Sequence, residues 1–593
     1  MDRNTLTGML LIAAIMLGWS YFMKPNEAEL KQYQHQTDSI KNAKAGIKTA
    51  PVTANKTVKF ADSAALQEQF ITLENEKVKI TLSTKGGRVY STELKGQKTW
   101  NGKPIILFNG DENRFGLKLP LTTKNVNTTD ELFQPIGSSF SVAGKDSNSV
   151  TMRLAFSATQ YVDYVYSLKG DSYLLNFGVK MAGMNQLLNP SAKTLNLEWK
   201  SDLIQQEKDK KNEQTYTTVF YQKENGDVDY LSESKDKEEK LEEPIKWISF
   251  KQHFFSTVLI AQNKFQTGTL STVTDLTKSN LKNLSADLVV PIQSKPDEQL
   301  NFTFYFGPNH FTTLKNVGYD LQSQIKLGWG PLGWINRWAV IPLFNFLDNF
   351  NLNYGIIILI LTVVLKLVLL PITYSSYLSQ AKMRALKPEM DAIKAKVGEE
   401  DQTKLQQEYL KLYKQAGVNP LAGCIPLLLQ MPILLAFFRF FPASFELRQQ
   451  PFLWMNDLST YDSVINFGVN IPFLGNHLSL MCVLMTISTL IYTWMNNRIS
   501  GVTGQMKYIG YIMPVVFLGA LNSFPAGLNF YYFCANIITF LQQFIIRKFV
   551  NDDAIHAKIQ ENKKRPGASQ KSKWQMRLEE MTKQQQAAQQ RKK

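Results

Sequence analysis

The 593-residue chain has 66 Lys and Arg against 50 Asp and Glu, a formal charge of +16, and only three cysteines and five histidines. So few cysteines exclude a disulfide-built domain, and the singly scattered histidines (35, 253, 310, 477, 556) exclude familiar metal-ligand spacings. The slightly negative mean hydropathy conceals two unlike halves, polar and charged up to about residue 326, apolar and aromatic from 329 to 549.

In chain order, residues 6–23 form the first apolar run, and 1–24 is expected to be a transmembrane anchor. Ser20, Tyr21 and Phe22 before Met23 make no small-residue cleavage site, so the anchor is expected to be retained. Residues 25–63, rich in Lys, Gln, Asn, Ala and Thr, read as a flexible tether. From 64 to 326 the pattern changes to short alternating runs. "VKITLSTKGGRVYSTEL" predicts two strands around Gly86 and Gly87, and "YVDYVYSLKGDSYLLNFGVKM" two more around Lys169, Gly170 and Asp171. "WISFKQHFFSTVLIA" and "LNFTFYFGP" continue the pattern, which predicts an antiparallel β-sandwich. Charge dominates 205–243, where long exposed loops are expected.

Residues 327–350 contain "WGPLGWINRWAVIPLFNFLDNF", whose three Trp, two Pro and single Arg suit an amphipathic helix in the outer headgroup layer. An ordinary linker helix is the alternative. Five further runs have span-like character, giving segments 351–372, 422–441, 478–496, 508–522 and 528–546. The fourth of these leans on Asn522 and Ser523 for its length. The whole predicts a polytopic α-helical membrane protein with six transmembrane helices and a large exported β-sandwich.

Basic residues fix the orientation. The tail 547–593 holds thirteen Lys and Arg against five acids, segment 373–421 holds eight basic residues, and 497–507 has Arg498 and Lys507 with no acid. Segment 442–477 has one Arg, Arg448, against Glu446, Asp457 and Asp462. Both termini are therefore expected in the cytosol and the sandwich outside it. In 373–421 the spacing of Leu378, Leu386, Met390, Ile393 and Val397, then of Leu405, Tyr409, Leu412 and Ala416, predicts a cytosolic helical hairpin. Gly398 would stop its first helix and Asp401 cap the second. Lys382, Arg384 and Lys387 on its outside read either as a solvated face or as a client or ribosome contact. Cys424, Cys482 and Cys534 fall in or beside spans and read as inert buried thiols.

Lys366 stands inside "YGIIILILTVVLKLVLLPITY", where a charge costs about 2.5–3.5 kcal/mol on insertion scales. It is tolerated either by snorkelling to the headgroups or because its site is wet. A channel or transporter would also use an intramembrane charge, but the spans show no inverted repeat. A carbohydrate-active sandwich would have to rely on His253 or His310. The residues show no P-loop, metal cluster or nucleophile–base pair, so neither cofactor nor enzymatic chemistry is expected.

The stretches "VNPLAGCIPLLLQMPILLAFF", "FELRQQPFLWMNDLSTYD" and "FPAGLNFYYFCANIITFLQQ" resemble the YidC membrane protein insertase family, as do "MDRNT" and "AKMRALKPEM". That resemblance implies an insertase of the bacterial inner membrane, with the sandwich in the periplasm, that helps nascent membrane proteins insert and fold. It would act alone or beside the Sec translocon, without nucleotide, through a hydrophilic groove open to cytosol and lipid. Independently of the resemblance, the basic tail and cytosolic loops read as a ribosome contact, or the tail as a solvated disordered one, and a monomer in the lipid bilayer is expected. The family's single basic groove residue falls on Lys366, where many relatives have Arg. Thr362, Gln430 and Tyr532 match other groove or contact positions, Asn536 adds polarity to the groove, and Ala526 replaces a Ser common in its motif.

Overall fold

The computed structural model describes residues 67–275, 279–398, 402–418, 425–472, 474–500 and 505–564. The expected anchor and tether, Asp401, Cys424 and the tail from 565 lie outside the described residues. Period-two alternation between residues 70 and 308 builds three sheets. In strand Tyr161–Lys169, Val162, Tyr164, Tyr166 and Leu168 point into the core.

The largest sheet has nine strands, ordered Val228–Tyr230, Thr218–Lys223, Ile245–Lys251, Phe255–Phe265, Asp297–Pro308, Leu174–Ala182, Tyr161–Lys169, Ser147–Ala155 and Gln134–Ile136. A six-stranded sheet centred on Lys282–Pro291 and Thr194–Leu203 covers one face. Phe115 of that sheet meets Phe177 and Phe304 of the larger one at 5.5 and 5.2 Å between ring centroids. Trp199 stacks on Phe250 at 3.7 Å. Aromatic interdigitation of this kind makes a sandwich core. A five-stranded sheet, including Val78–Ser83 and Val89–Lys98, completes the domain, and its pairing of Phe70–Glu74 with Phe140–Ser141 is parallel.

Both turns read in the sequence are present. Gly86 and Gly87 take φ of +78° and +59°, and the Tyr166 hydroxyl donates to the Gly87 carbonyl at 2.7 Å. A Cβ on Gly87 would come within 2.9 Å of the Phe133 ring. Gly87→Ala is therefore expected to destabilise the chain by about 1–3 kcal/mol, combining left-handed strain with overpacking. An unchanged denaturant midpoint would contradict this.

The charged stretch 205–243 departs from expectation. It forms helix Lys210–Tyr216 and strand Thr218–Lys223, which is buried along most of its length in the large sheet. Its charge count hid the apolar run Val219–Tyr221 and the buried carboxylates of Glu207 and Glu213.

The outer face of the large sheet presents Phe220, Trp247, Val258, Ile260 and Tyr305 to Leu314, Ile325, Leu327, Val340 and Phe344 of the linker helices. The same apolar cluster runs on into Ile357, Ile358 and Leu361, then Phe437, Phe441 and Tyr531. One continuous core thus joins the sandwich to the C-terminal helices.

Those helices are α1 (Tyr354–Val368), α2 (Leu370–Ala385), α3 (Lys387–Val397), α4 (Gln402–Ala416), α5 (Ile425–Ala443), α6 (Leu480–Ser500), α7 (Gln505–Leu521), α8 (Ala526–Phe549) and α9 (Asp552–Lys564). Asn353 caps α1, accepting from Gly355 N at 2.9 Å. The expected span 354–372 breaks at Leu369, because Pro371 starts a new helix and cannot continue the old hydrogen-bond ladder. Among the described residues no single helix is long and apolar enough to cross a membrane. α1 with α2, bent by 58°, and α8 with α9, bent by 69°, meet that length and composition as pairs.

The hairpin forms as α3 and α4, with Gly398 at φ +82° ending α3. Leu386, Leu412, Ala416 and Val418 pack there with Ile555 and Ile559 of α9. Lys563 of α9 pairs with Glu389 of α3, and Asn562 donates to the Ala416 carbonyl at 3.2 Å. The first part of the basic tail is thus a packed helix, carried by the four-residue spacing of its two isoleucines.

Candidate functional site

α1 sets Thr362 and Lys366 one turn apart on the same face, and both are buried, with Lys366 6% exposed. The Lys366 carbonyl accepts from Gln542 Nε2 of α8 at 3.0 Å, which ties α1 to α8 at the depth of the charge. The Thr362 hydroxyl donates to the Ile358 carbonyl of its own helix at 2.7 Å. Asn536, also on α8, turns towards α6, donating to Ser488 Oγ at 2.9 Å and Thr489 Oγ1 at 3.0 Å. Tyr532 packs its ring 5.8 Å from Phe438 of α5, and Gln430 is half-buried near the start of the described side chains of α5. The structure therefore brings Thr362 and Lys366 together directly, with Gln542 as the link to α8. Asn536, Tyr532 and Gln430 hang on the neighbouring helices.

Next to Gln542, Gln543 lines a cavity of about 420 Å³ shared with Tyr377 and Arg384 of α2, Trp494 of α6 and Arg547 of α8. Arg384 sits there with its guanidinium 5.7 Å from the Tyr377 ring centre. Lys382 is half-buried, and Lys387 is exposed at the start of α3.

At the opposite end, the segment "FELRQQPFLWMNDLSTYD" closes over the helices. Phe452 fills the space above Gly355 so completely that a Cβ there would fall 2.1 Å from its ring. The amides of Ala526 and Gly527 donate to Thr460 O at 2.8 Å and Leu458 O at 2.9 Å. Ala526 uses only its backbone in this contact. Asp462 accepts from Trp454 Nε1 and Met481 N, each at 2.9 Å, and from the Ser479 hydroxyl.

This segment also grips the sandwich. Arg448 Nε donates to Glu207 at 2.8 Å and Nη2 to the Lys98 carbonyl. Burial raises the Glu207 carboxyl above its usual range despite Arg448, and pushes Glu213 well above it. Both histidines weighed as enzyme candidates lie at the same junction. His253 is buried, 4.3 Å from the Tyr216 ring, and its Nε2 is 2.7 Å from the Pro442 carbonyl oxygen. Burial and nearby Lys251 push it down to about 3. His310 meets Glu446 at 3.3 Å. Their contacts are those of joint residues.

Residues 346–553 match the family described as 60Kd inner membrane protein, and residues 70–342 match the YidC periplasmic domain. A membrane protein insertase YidC of Parabacteroides distasonis is 39% identical over 629 residues, covering 99% of this chain and 98% of that one. The chain belongs to the YidC membrane protein insertase family. The YidC of Bacteroides fragilis is likewise 39% identical over 611 residues, covering 99% and 98%. A crystal structure of an active YidC insertase with its first transmembrane domain resolved is 19% identical, covers 80% of this chain and 92% of that one, and gives a TM-score of 0.33. The chain thus joins the β-rich periplasmic domain of the YidC family to its helical C-terminal region.

Sequence reasoning missed Gln542, Ser488, Thr489 and the Arg448–Glu207 pair. The hydroxyls at 486, 489 and 493 recur at three- and four-residue intervals in an apolar run, a signal that marks a polar helix face. Nothing local in the sequence links Arg448 to Glu207.

Proposed function

We propose that the chain inserts integral membrane proteins into the inner membrane and helps them fold and assemble, alone or beside the Sec translocon, without nucleotide hydrolysis. The observation that carries this is its similarity along nearly the whole chain to proteins named membrane protein insertase YidC. In this reading six spans place both termini in the cytosol and the sandwich in the periplasm, in keeping with the Lys and Arg distribution. Lipid itself supplies the drive, since each Leu-like residue of an incoming span gains about 0.3–0.6 kcal/mol. The barrier is the polar flank, where each acidic residue costs a few kcal/mol to carry through hydrocarbon. A groove formed by Thr362, Lys366, Gln430, Tyr532 and Asn536, entered from the cavity at Arg384, shortens the dry path. Lys366 offers an acidic tail a transient partner.

Photocrosslinking from positions 366, 430 and 532 to ribosome-bound nascent chains tests the groove. Adducts with the client's apolar span are expected from all three. Yields no higher than from Val368, which is exposed on α1, would overturn it.

Lys382, Arg384, Lys387 and the tail would contact client or ribosome. The tail from Arg547 carries thirteen basic residues less five acidic, or +8. Binding to ribosomal RNA is expected to fall about a thousandfold between 50 and 200 mM salt if six phosphates are engaged. Since α9 packs on the hairpin, the matching deletion removes only residues after Lys564. Equal ribosome binding by that truncation, or binding insensitive to salt, would refute the tail's role.

A further inference from the structure

A basic recess outside this machinery lies where the sandwich meets the outer end of α5. A cavity of about 40 Å³ is walled by Lys251, Lys326 and Arg439, with Glu233 its single carboxylate among the described residues. Three cations against one acid leave an excess of two positive charges. Lys326 pairs with Glu233 at 2.9 Å. The buried Lys251 ammonium donates to the Tyr216 carbonyl at 3.3 Å and has two further N–H donors to satisfy. The other carboxylate oxygen of Glu233 is buried without a hydrogen-bond partner. Lys282 stands close by, donating to the Glu233 carbonyl at 2.9 Å, and adds to the positive field. A buried cation without a matching anion is costly, and Lys251 is one, so the recess suits an anion that the described residues do not provide.

Its depth can be located independently. Asn336 donates to the Leu327 carbonyl at 2.7 Å and the Ala436 carbonyl at 2.8 Å, locking the Trp-rich helix to α5 one turn before Arg439. Trp329, Trp334 and Trp338 beside it are 76, 67 and 80% exposed. Trp gathers at the headgroup level, which puts the recess at the depth of lipid phosphates.

We propose that Lys251, Lys326 and Arg439 bind the phosphate of an anionic phospholipid in the periplasmic leaflet. The choice of leaflet rests on the orientation argued above. The volume admits about three water-sized guests, enough for a phosphate group while the rest of the lipid stays outside. Arg439, exposed at the mouth, supplies a fork that fits phosphate oxygens, and Lys251 supplies a point charge behind it. A lipid held there would pin the sandwich and α5 to the same leaflet.

The test is native mass spectrometry of the full chain in detergent, titrated separately with phosphatidylglycerol, phosphatidylcholine and inorganic phosphate. One phosphatidylglycerol should be retained in preference to phosphatidylcholine. Arg439→Gln and Lys251→Gln should each weaken it about fivefold, whereas Arg337→Gln, exposed on the Trp-rich helix, should weaken it less than about twofold. Arg439 is exposed, so its variant is expected to fold even where Lys251→Gln does not. Equal retention of both lipids, an unchanged Arg439→Gln, or an equal loss in Arg337→Gln overturns the site. Inorganic phosphate binding as tightly as the lipid overturns the lipid as its source. Client insertion is read in parallel. A chain that inserts clients but retains no lipid refutes this inference alone, and one that retains lipid but inserts nothing refutes the insertase reading alone.

Discussion

Lys366→Glu is expected to lose more insertion activity than any other single substitution in the helical region, above all for clients with acidic exported tails. If the groove works by placing positive charge at half depth, Lys366→Ala should slow an acidic-tailed client about fivefold, the worth of one weak charge pair, and leave a neutral-tailed client nearly untouched. Lys366→Arg should insert both almost normally. Lys366→Glu adds repulsion and should fall at least about tenfold, with partial recovery for a client given a basic tail. The Gln542 bond is to the Lys366 main chain, so these substitutions leave the α1–α8 tie in place. Snorkelling predicts the opposite for Ala, because removing the charge removes an insertion cost. The measurement is insertion efficiency for both clients, normalised to insertase abundance. Equal Ala activity on both would refute the role of the charge.

Arg448→Met should be the most destabilising substitution at the junction. The Arg448 side chain is 2% exposed, donates to Glu207 and to the Lys98 carbonyl, and lies 4.9 Å from the Phe255 ring centre. Removing it strands a buried carboxylate, at a cost of about 3–5 kcal/mol. Adding Glu207→Leu should restore much of that loss, since replacing both partners of a buried pair is far milder than removing one. The deficit should also depend on pH. Burial already raises Glu207, and without Arg448 it rises further, so the folded state holds a proton that the unfolded state releases. Stability of the single variant should therefore fall as pH climbs from the ordinary carboxylate range through the raised value, and stay low above it. A deficit that is the same at pH 5 and pH 8, or no rescue in the double variant, would contradict the clasp.

The sandwich was legible because its strands alternate and its turns carry glycines, with positive φ at Gly86 and Gly87. The hairpin was legible for the same local reason, down to Gly398. What failed was composition used as a proxy for exposure. Stretch 205–243 looked solvated by charge, yet it carries a buried strand of the large sheet and the Glu207 carboxylate that meets Arg448. The expected span bends at Leu369, where hydropathy averages across Pro371 but the helix axis does not. At the candidate site the sequence picked out Lys366 because a charge in an apolar run needs an explanation. It missed Gln542, whose importance depends on which helix lies beside α1, and that is a long-range fact.

Glu207 and Arg448 are separated by 241 positions in the chain. At about 5–20 residues per second, a ribosome needs roughly 10–50 s to pass from one to the other. Within that interval the last sandwich strands, from Thr218–Lys223 to Asp297–Pro308, are synthesised, while the segment that clasps them is not. A nascent sandwich therefore waits with Glu207 unanswered. Delivery of Arg448, between α5 and α6, then adds a late polar clasp between two sequentially made halves. A chain stalled before that point would carry a complete sandwich packed on its linker helices but still without the Arg448 clasp.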